Sequence, residues 1–176
     1  MKNKVRLKTP LTRKVIKSLR AKDEVELSGI IYTARDRAHK KLAELITRKK
    51  TLPIDLRNAV IYYCGPTFCK DKLGSCGPTT ASRMDSFLEP LTKVGLAASI
   101  GKGNRSLLAK KIIKKYKSIY FITYSGCGAY ISNFIKSYKI KAFPELGPEA
   151  IYEFSVVNFP LIVGIDAYGE EIYSNL

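Results

Sequence analysis

The chain has 176 residues, 45% of them hydrophobic, and a formal net charge of +16 from 31 Lys and Arg against 15 Asp and Glu. That length suits one domain over 1–176 and excludes two generous ones, and no apolar run approaches the roughly 20 residues of a membrane span. The N-terminus alternates charge with apolar residues and forms no signal-peptide core, so a cytoplasmic location is expected, with residues 1–10 read as a flexible basic segment.

In chain order, "DEVELSGIIYT" (23–33) alternates Val25, Leu27 and Gly29 with polar residues before an apolar run, which predicts a strand. "ARDRAHKKLAELITRKK" changes to helical period, with Ala38, Leu42, Leu45 and Ile46 on one side. "NAVIYYC" (58–64) is a β-branched and aromatic run ending at a turn. "GSCGPTTASRMD" (74–85) then reads as a glycine-rich loop opening a helix at Pro78 and Thr79 that lasts until Pro90. Next come a strand "VGLAASI", a turn "GKGN" (101–104) and a helix "RSLLAKKIIKKY" with Leu107, Leu108, Ile112 and Ile113 inward. A strand "SIYFITY", a helix begun in "SGCGAYISNFI", a strand "KIKAFPE" and an apolar strand "FPLIVGIDAYG" close the chain. The alternation predicts a single layered α/β domain, whose ligands sit where strands turn into helices.

Three such turns each offer a cation: Arg35, Arg83 and Lys102. A helix beginning near Thr79 would expose unpaired N–H groups and place Thr79 and Arg83 four apart on one face. Asp36 and His39 follow Arg35, and Thr80 follows Thr79. Each feature alone has a plain structural reading: a cap, a dipole-favoured Asp, a solvated arginine. Together they suit a small dianion better than a nucleotide, since "GKGN" lacks both a Walker A loop and a dinucleotide fingerprint.

Cys64, Cys69 and Cys76 match neither ferredoxin spacing, and His39 is the only histidine, so no metal site is expected within the chain and no disulfide from these or Cys127. The charge is lopsided, with no Lys or Arg beyond position 141 and six acids in the last 35 residues. The cluster "KKIIKKYK" (110–117) invites a nucleic-acid reading, yet it reads equally as the wet face of an amphipathic helix, and no nucleic-acid module appears. A basic surface also suits an anionic metabolite or an acidic partner subunit.

The ordered blocks "GIIYTARDRAHK", "VIYYCGPT", "GSCGPTTASRMD", "IGKGN", "GCGAYI", "FPELGPEAIYEF" and "FPLIVGIDAYG" closely resemble the beta subunit of class I iron-sulfur fumarate hydratases, a unit shared with L-tartrate dehydratase. The resemblance runs from about Leu11 to Tyr173. It implies a swivelling β/β/α fold and a hydro-lyase whose [4Fe-4S] cluster is held by three cysteines of a partner alpha subunit, within a hetero-oligomer. It further implies that Arg35, Arg83 and Lys102 hold a dicarboxylate such as fumarate or malate. By the same resemblance Thr79 would transfer the proton, Asp36, His39 and Thr80 would stand behind the site, and the four cysteines of this chain would be structural. L-tartrate is the alternative substrate, and a basic nucleic-acid-binding protein the distant alternative; the expectation is neither nucleic acid nor membrane.

Overall fold

The computed structural model describes residues 4–70 and 72–173. The chain runs β1 (Val5–Lys8), α1 (Arg13–Ser18), β2 (Glu24–Thr33), α2 (Asp36–Thr47), β3 (Val60–Tyr62) and a small hairpin of β4 (Phe68–Cys69) and β5 (Lys72–Leu73). A 3-10 turn (Ala81–Met84) leads into α3 (Asp85–Lys93), followed by β6 (Ala98–Gly101), α4 (Leu107–Tyr116), β7 (Ile119–Ile122), α5 (Gly128–Ser132) and β8 (Ile135–Ala142). A second 3-10 segment (Pro144–Glu149) precedes β9 (Ile151–Ile165).

The main sheet has the order β1-β2-β3-β6-β7-β9-β8, and an added β2–β9 pairing closes β2, β3, β6, β7 and β9 into a ring. β2, β3, β6 and β7 are parallel neighbours, whereas β9 runs antiparallel to β2, β7 and β8. Because side chains alternate along a strand, the layers can be read at β3: Val60 and Tyr62 enter the core inside the ring, while Ile61 and Tyr63 enter a second core beneath the helices. The inner core is filled by Val25, Leu27 and Ile31 of β2 and by Phe154, Phe159 and Val163 of β9. The outer core takes Ala38 and Leu42 from α2, Leu88 and Leu91 from α3, and Ala109, Ile112 and Ile113 from α4. This is an α/β domain layered β/β/α, as expected. No helix among the described residues is long and apolar enough to cross a membrane.

Three local expectations need correction. Within the supposed flexible segment 1–10, Val5–Lys8 form β1, paired in parallel with Val25–Ser28 of β2; residues 1–3 lie outside the described residues. The helix expected from Thr79 to Pro90 starts later and ends later. Thr79 is bound into an extended ladder, and α3 carries Pro90 within it because the buried face of Leu88, Leu91 and Thr92 outweighs one missing N–H. Finally, Leu107 and Leu108 do not point inward: they are 74% and 56% exposed, since the outer core takes from α4 only Ala109, Ile112 and Ile113.

Candidate active site

Two of the three cations leave the carboxyl ends of parallel strands. Arg35 follows β2 as the residue before α2, and Lys102 follows β6. Between them the exit of β3 passes Tyr63 and Gly65. The segment 79–81 is laid against both neighbours: Thr79 N–H donates to the Tyr63 carbonyl at 2.6 Å, Lys102 N–H to the Thr79 carbonyl at 3.1 Å, and Ala81 N–H to the Lys102 carbonyl at 2.9 Å. Thr80 and Lys102 thereby form an isolated parallel bridge. This contact requires Gly101, where a Cβ would stand 3.1 Å from the Ala81 Cβ and 3.2 Å from the Thr79 carbonyl oxygen.

The anion-binding helix start read from the sequence is therefore corrected. The N–H groups of Thr79 and Ala81 are spent on carbonyls, and Thr79 does not share a helical face with Arg83. The extended 79–80 strand nevertheless brings Thr79, Thr80 and Lys102 together, with Thr79 half-buried and Thr80 exposed.

Arg83, on the 3-10 turn, reaches back across the site to Asp36 at the start of α2. Its Nε and Nη2 donate to the two carboxylate oxygens at 3.2 and 2.7 Å. Asp36 also lies 4.0 Å from Arg35, whose Nε stands 3.6 Å from Glu149. The buried Arg35 Nε has no hydrogen-bond partner. The Arg35 guanidinium packs where Gly65 leaves room, since a Cβ there would come within 2.8 Å of Nη1. Arg83 is 51% and Asp36 31% exposed, so their pair is worth no more than about 1 kcal/mol and a stronger carboxylate ligand can compete for the guanidinium. Among the described residues, no ion pair engages Lys102.

Behind this front lies a buried polar group that sequence reasoning largely missed. His39 is 1% exposed, and its Nδ1 sits 2.9 Å from the Arg35 carbonyl, which fixes Nδ1 as the protonated nitrogen and holds the residue that carries the guanidinium. Burial holds the imidazole pKa down to about 4, with the Arg105 charge acting in the same direction, so His39 is neutral at pH 7. Arg105, whose side chain has no exposure, donates to Asp85 from Nε and to the Ser99 hydroxyl at 3.1 Å. Asp85 also accepts the Ser106 N–H at 2.7 Å. The carboxylate that follows Arg83 by two residues thus pins the loop that carries Lys102. The only sequence signal for this pair was the charge in "RMD" and "GNRS", twenty residues apart.

The cysteines do not fit an iron-sulfur cluster. Cys64 and Cys76 are buried, Cys69 is exposed on the β4–β5 hairpin, and all four are free. A hydrogen bond with Cys76 and burial push the Cys64 thiol well up, so in the chain alone it stays protonated. Among the described residues, no group of three or more His, Cys, Asp or Glu is placed to hold a metal ion.

The chain is 38% identical over 174 residues to a Methanocaldococcus jannaschii protein provisionally named L(+)-tartrate dehydratase subunit beta, covering 94% of this chain and 89% of that protein. It is 32% identical to the L(+)-tartrate dehydratase subunit beta of Escherichia coli K12, over 94% of this chain and 85% of the relative. To the anaerobic class I fumarate hydratase of the same organism it is 37% identical over 86% of this chain, but it spans only 28% of that longer protein. The family described as Fumarase C-terminus matches residues 1–176, and the chain belongs to that family.

Proposed function

We propose that the chain is the beta subunit of a two-subunit hydro-lyase that hydrates fumarate reversibly to (S)-malate, working against a [4Fe-4S] cluster carried by an alpha subunit. One observation carries the reading: a half-buried threonine is laced by backbone hydrogen bonds to Tyr63 and Lys102 at the carboxyl ends of β3 and β6, the end of the sheet where Arg35 leaves β2, and Arg83 is paired to Asp36 beside Arg35. Relatives named as beta subunits span a length close to this one, which supports a separately encoded partner. L-tartrate is the second reading, because those same relatives bear its name. A cytoplasmic location goes with either.

Dehydration of malate removes a proton from the carbon beside one carboxylate and hydroxide from the neighbouring carbon, giving fumarate and water. The partner's cluster, when bound, supplies the Lewis acid for the departing hydroxyl. This chain supplies the rest. Arg83 and Arg35 grip the carboxylates by planar two-point contacts, with Asp36 yielding Arg83 to the substrate. Lys102 and the arginines stabilise the negative charge that grows on the carboxylate as the C–H bond breaks. Thr79 moves the proton. A free hydroxyl is far too weak an acid for this, so the positive charge around the 79–81 ladder has the task of lowering its pKa.

The test is reconstitution. Treated anaerobically with iron and sulfide, the isolated chain is expected to take up no stable cluster and to show no hydratase activity. With a cluster-bearing alpha subunit it is expected to turn over fumarate, and kinetics on fumarate, malate and L-tartrate assign the substrate. A stoichiometric cluster on the single chain, lost when Cys64, Cys69 and Cys76 become serine, sinks the division of labour. In the same complex Arg83→Lys is expected to lower turnover at least about tenfold, because an ammonium keeps the charge but loses the fork. Wild-type kinetics in that variant would refute the clamp.

A further inference from the structure

Large apolar side chains gather in the open on one rim of the molecule. Leu107 and Leu108 open α4 at 74% and 56% exposure, and Tyr124 and Tyr130, after β7, are 48% and 52% exposed. The strands that feed these two connections, β6 and β7, are parallel neighbours, so both connections leave the same end of the sheet, where Lys102 also emerges. The second connection touches the threonine loop directly. Cys76 N–H donates to the Gly128 carbonyl at 3.0 Å, and a Cβ on Gly128 would come within 2.7 Å of the Gly77 nitrogen. The leucines and the tyrosine pair thus adjoin the site through its own loops, and the core does not need the leucines, because Ala109, Ile112 and Ile113 already fill α4's buried stripe.

Resting on the function proposed above, we infer that this rim is the seat of the cluster-bearing subunit, and that the partner meets it with an apolar centre and an acidic surround. Two features choose that occupant over a second copy of this chain. A group held by a partner reaches Thr79 and Lys102 only across this end of the sheet. The rest of α4 carries four lysines and no acid. Glu171 and Glu89 answer Lys110 and Lys115, which leaves Lys111 and Lys114 exposed. A two-fold contact between copies would set these helices against like charge, in a chain of net charge +16, whereas an acidic partner gains from both. An apolar patch ringed by polar residues is the usual anatomy of such a contact.

The experiment measures binding of the cluster-bearing alpha subunit to the wild-type chain, to the L107D/L108D and Y124S/Y130S variants, and to I140D, an exposed apolar control on β8. Aspartates in the first turn favour the helix, so L107D/L108D is expected to melt with the wild type when alone. Its Kd is expected to rise at least about tenfold, as for a central interface anchor, with I140D unchanged. Wild-type affinity in both rim variants, or an equal loss in I140D, overturns the inference and leaves the enzyme reading standing. A wild-type chain that binds no alpha subunit overturns both. Self-association of the chain alone that L107D/L108D abolishes assigns the rim to a second copy and overturns the inference.

Discussion

Asp85→Ala is expected to destabilise the chain by about 3–5 kcal/mol, the cost of stranding one member of a buried ion pair. The Arg105 side chain has no exposure and Asp85 only 8%, so water cannot replace the lost carboxylate. Stacking on Tyr63 and Tyr120, with the guanidinium 5.5 and 4.9 Å from the ring centroids, softens the loss without neutralising the charge. The substitution also removes the acceptor of the Ser106 N–H, at the residue that caps α4. Against a typical total of about 5–15 kcal/mol this is a large fraction, readable as a lowered midpoint in urea with an unchanged m-value. The double variant D85L/R105M removes both charges and is expected to recover much of the loss, since apolar replacements of buried pairs are often neutral. If Asp85→Ala alone unfolds at the wild-type midpoint, the pair does not hold this part of the molecule together.

How much of this was legible in the sequence depended on how local the determinant is. β2, α2 and β7 announce themselves because their apolar period is local: Val25, Leu27 and Ile31 alternate into the inner core, and Ala38 and Leu42 recur at helical spacing. β1 carried the same signal in Val5 and Leu7 between Lys4, Arg6 and Lys8, but charge on a sheet edge looks like a solvated tail. The strand-end turns marked Arg35 and Lys102, which the structure sets at one end of the sheet, whereas Arg83 lies on the 3-10 turn and meets Arg35 only through its pair with Asp36. Three things resisted reading. Thr79 follows a ladder with Tyr63 and Lys102 that no local propensity encodes, so its relation to Arg83 came out wrong. Asp85 and Arg105 meet only because α3 and the β6–α4 loop pack together, and a buried ion pair looks like any two surface charges until both are placed. The first half of β9 borrows its order from pairing with both β2 and β8, as a long central strand does.

Thr79→Ala is expected to lower kcat of the assembled complex by roughly a hundredfold to ten-thousandfold, the range over which a positioned acid or base acts, while KM changes little. The backbone explains why binding should survive. Thr79 is held through its N–H and carbonyl, so the Tyr63 and Lys102 contacts outlast removal of the hydroxyl, and Arg35, Arg83 and Lys102 keep their places. Cluster absorbance and subunit assembly are accordingly expected to be unchanged, and Thr79→Ser, which keeps a hydroxyl, to retain much of the activity. Thr80→Ala is the discriminating control. Thr80 is exposed, its side chain makes no capping bond to the 3-10 turn, and neighbouring residues of an extended segment point to opposite sides, so only one of the two threonines faces the substrate. Should Thr80→Ala prove the more damaging change, the 79–81 segment presents the other hydroxyl and the proton-transfer role passes to Thr80. Should both alanines leave kcat within about threefold of wild type, neither hydroxyl handles the proton, since a group transferring it in the transition state contributes far more than that.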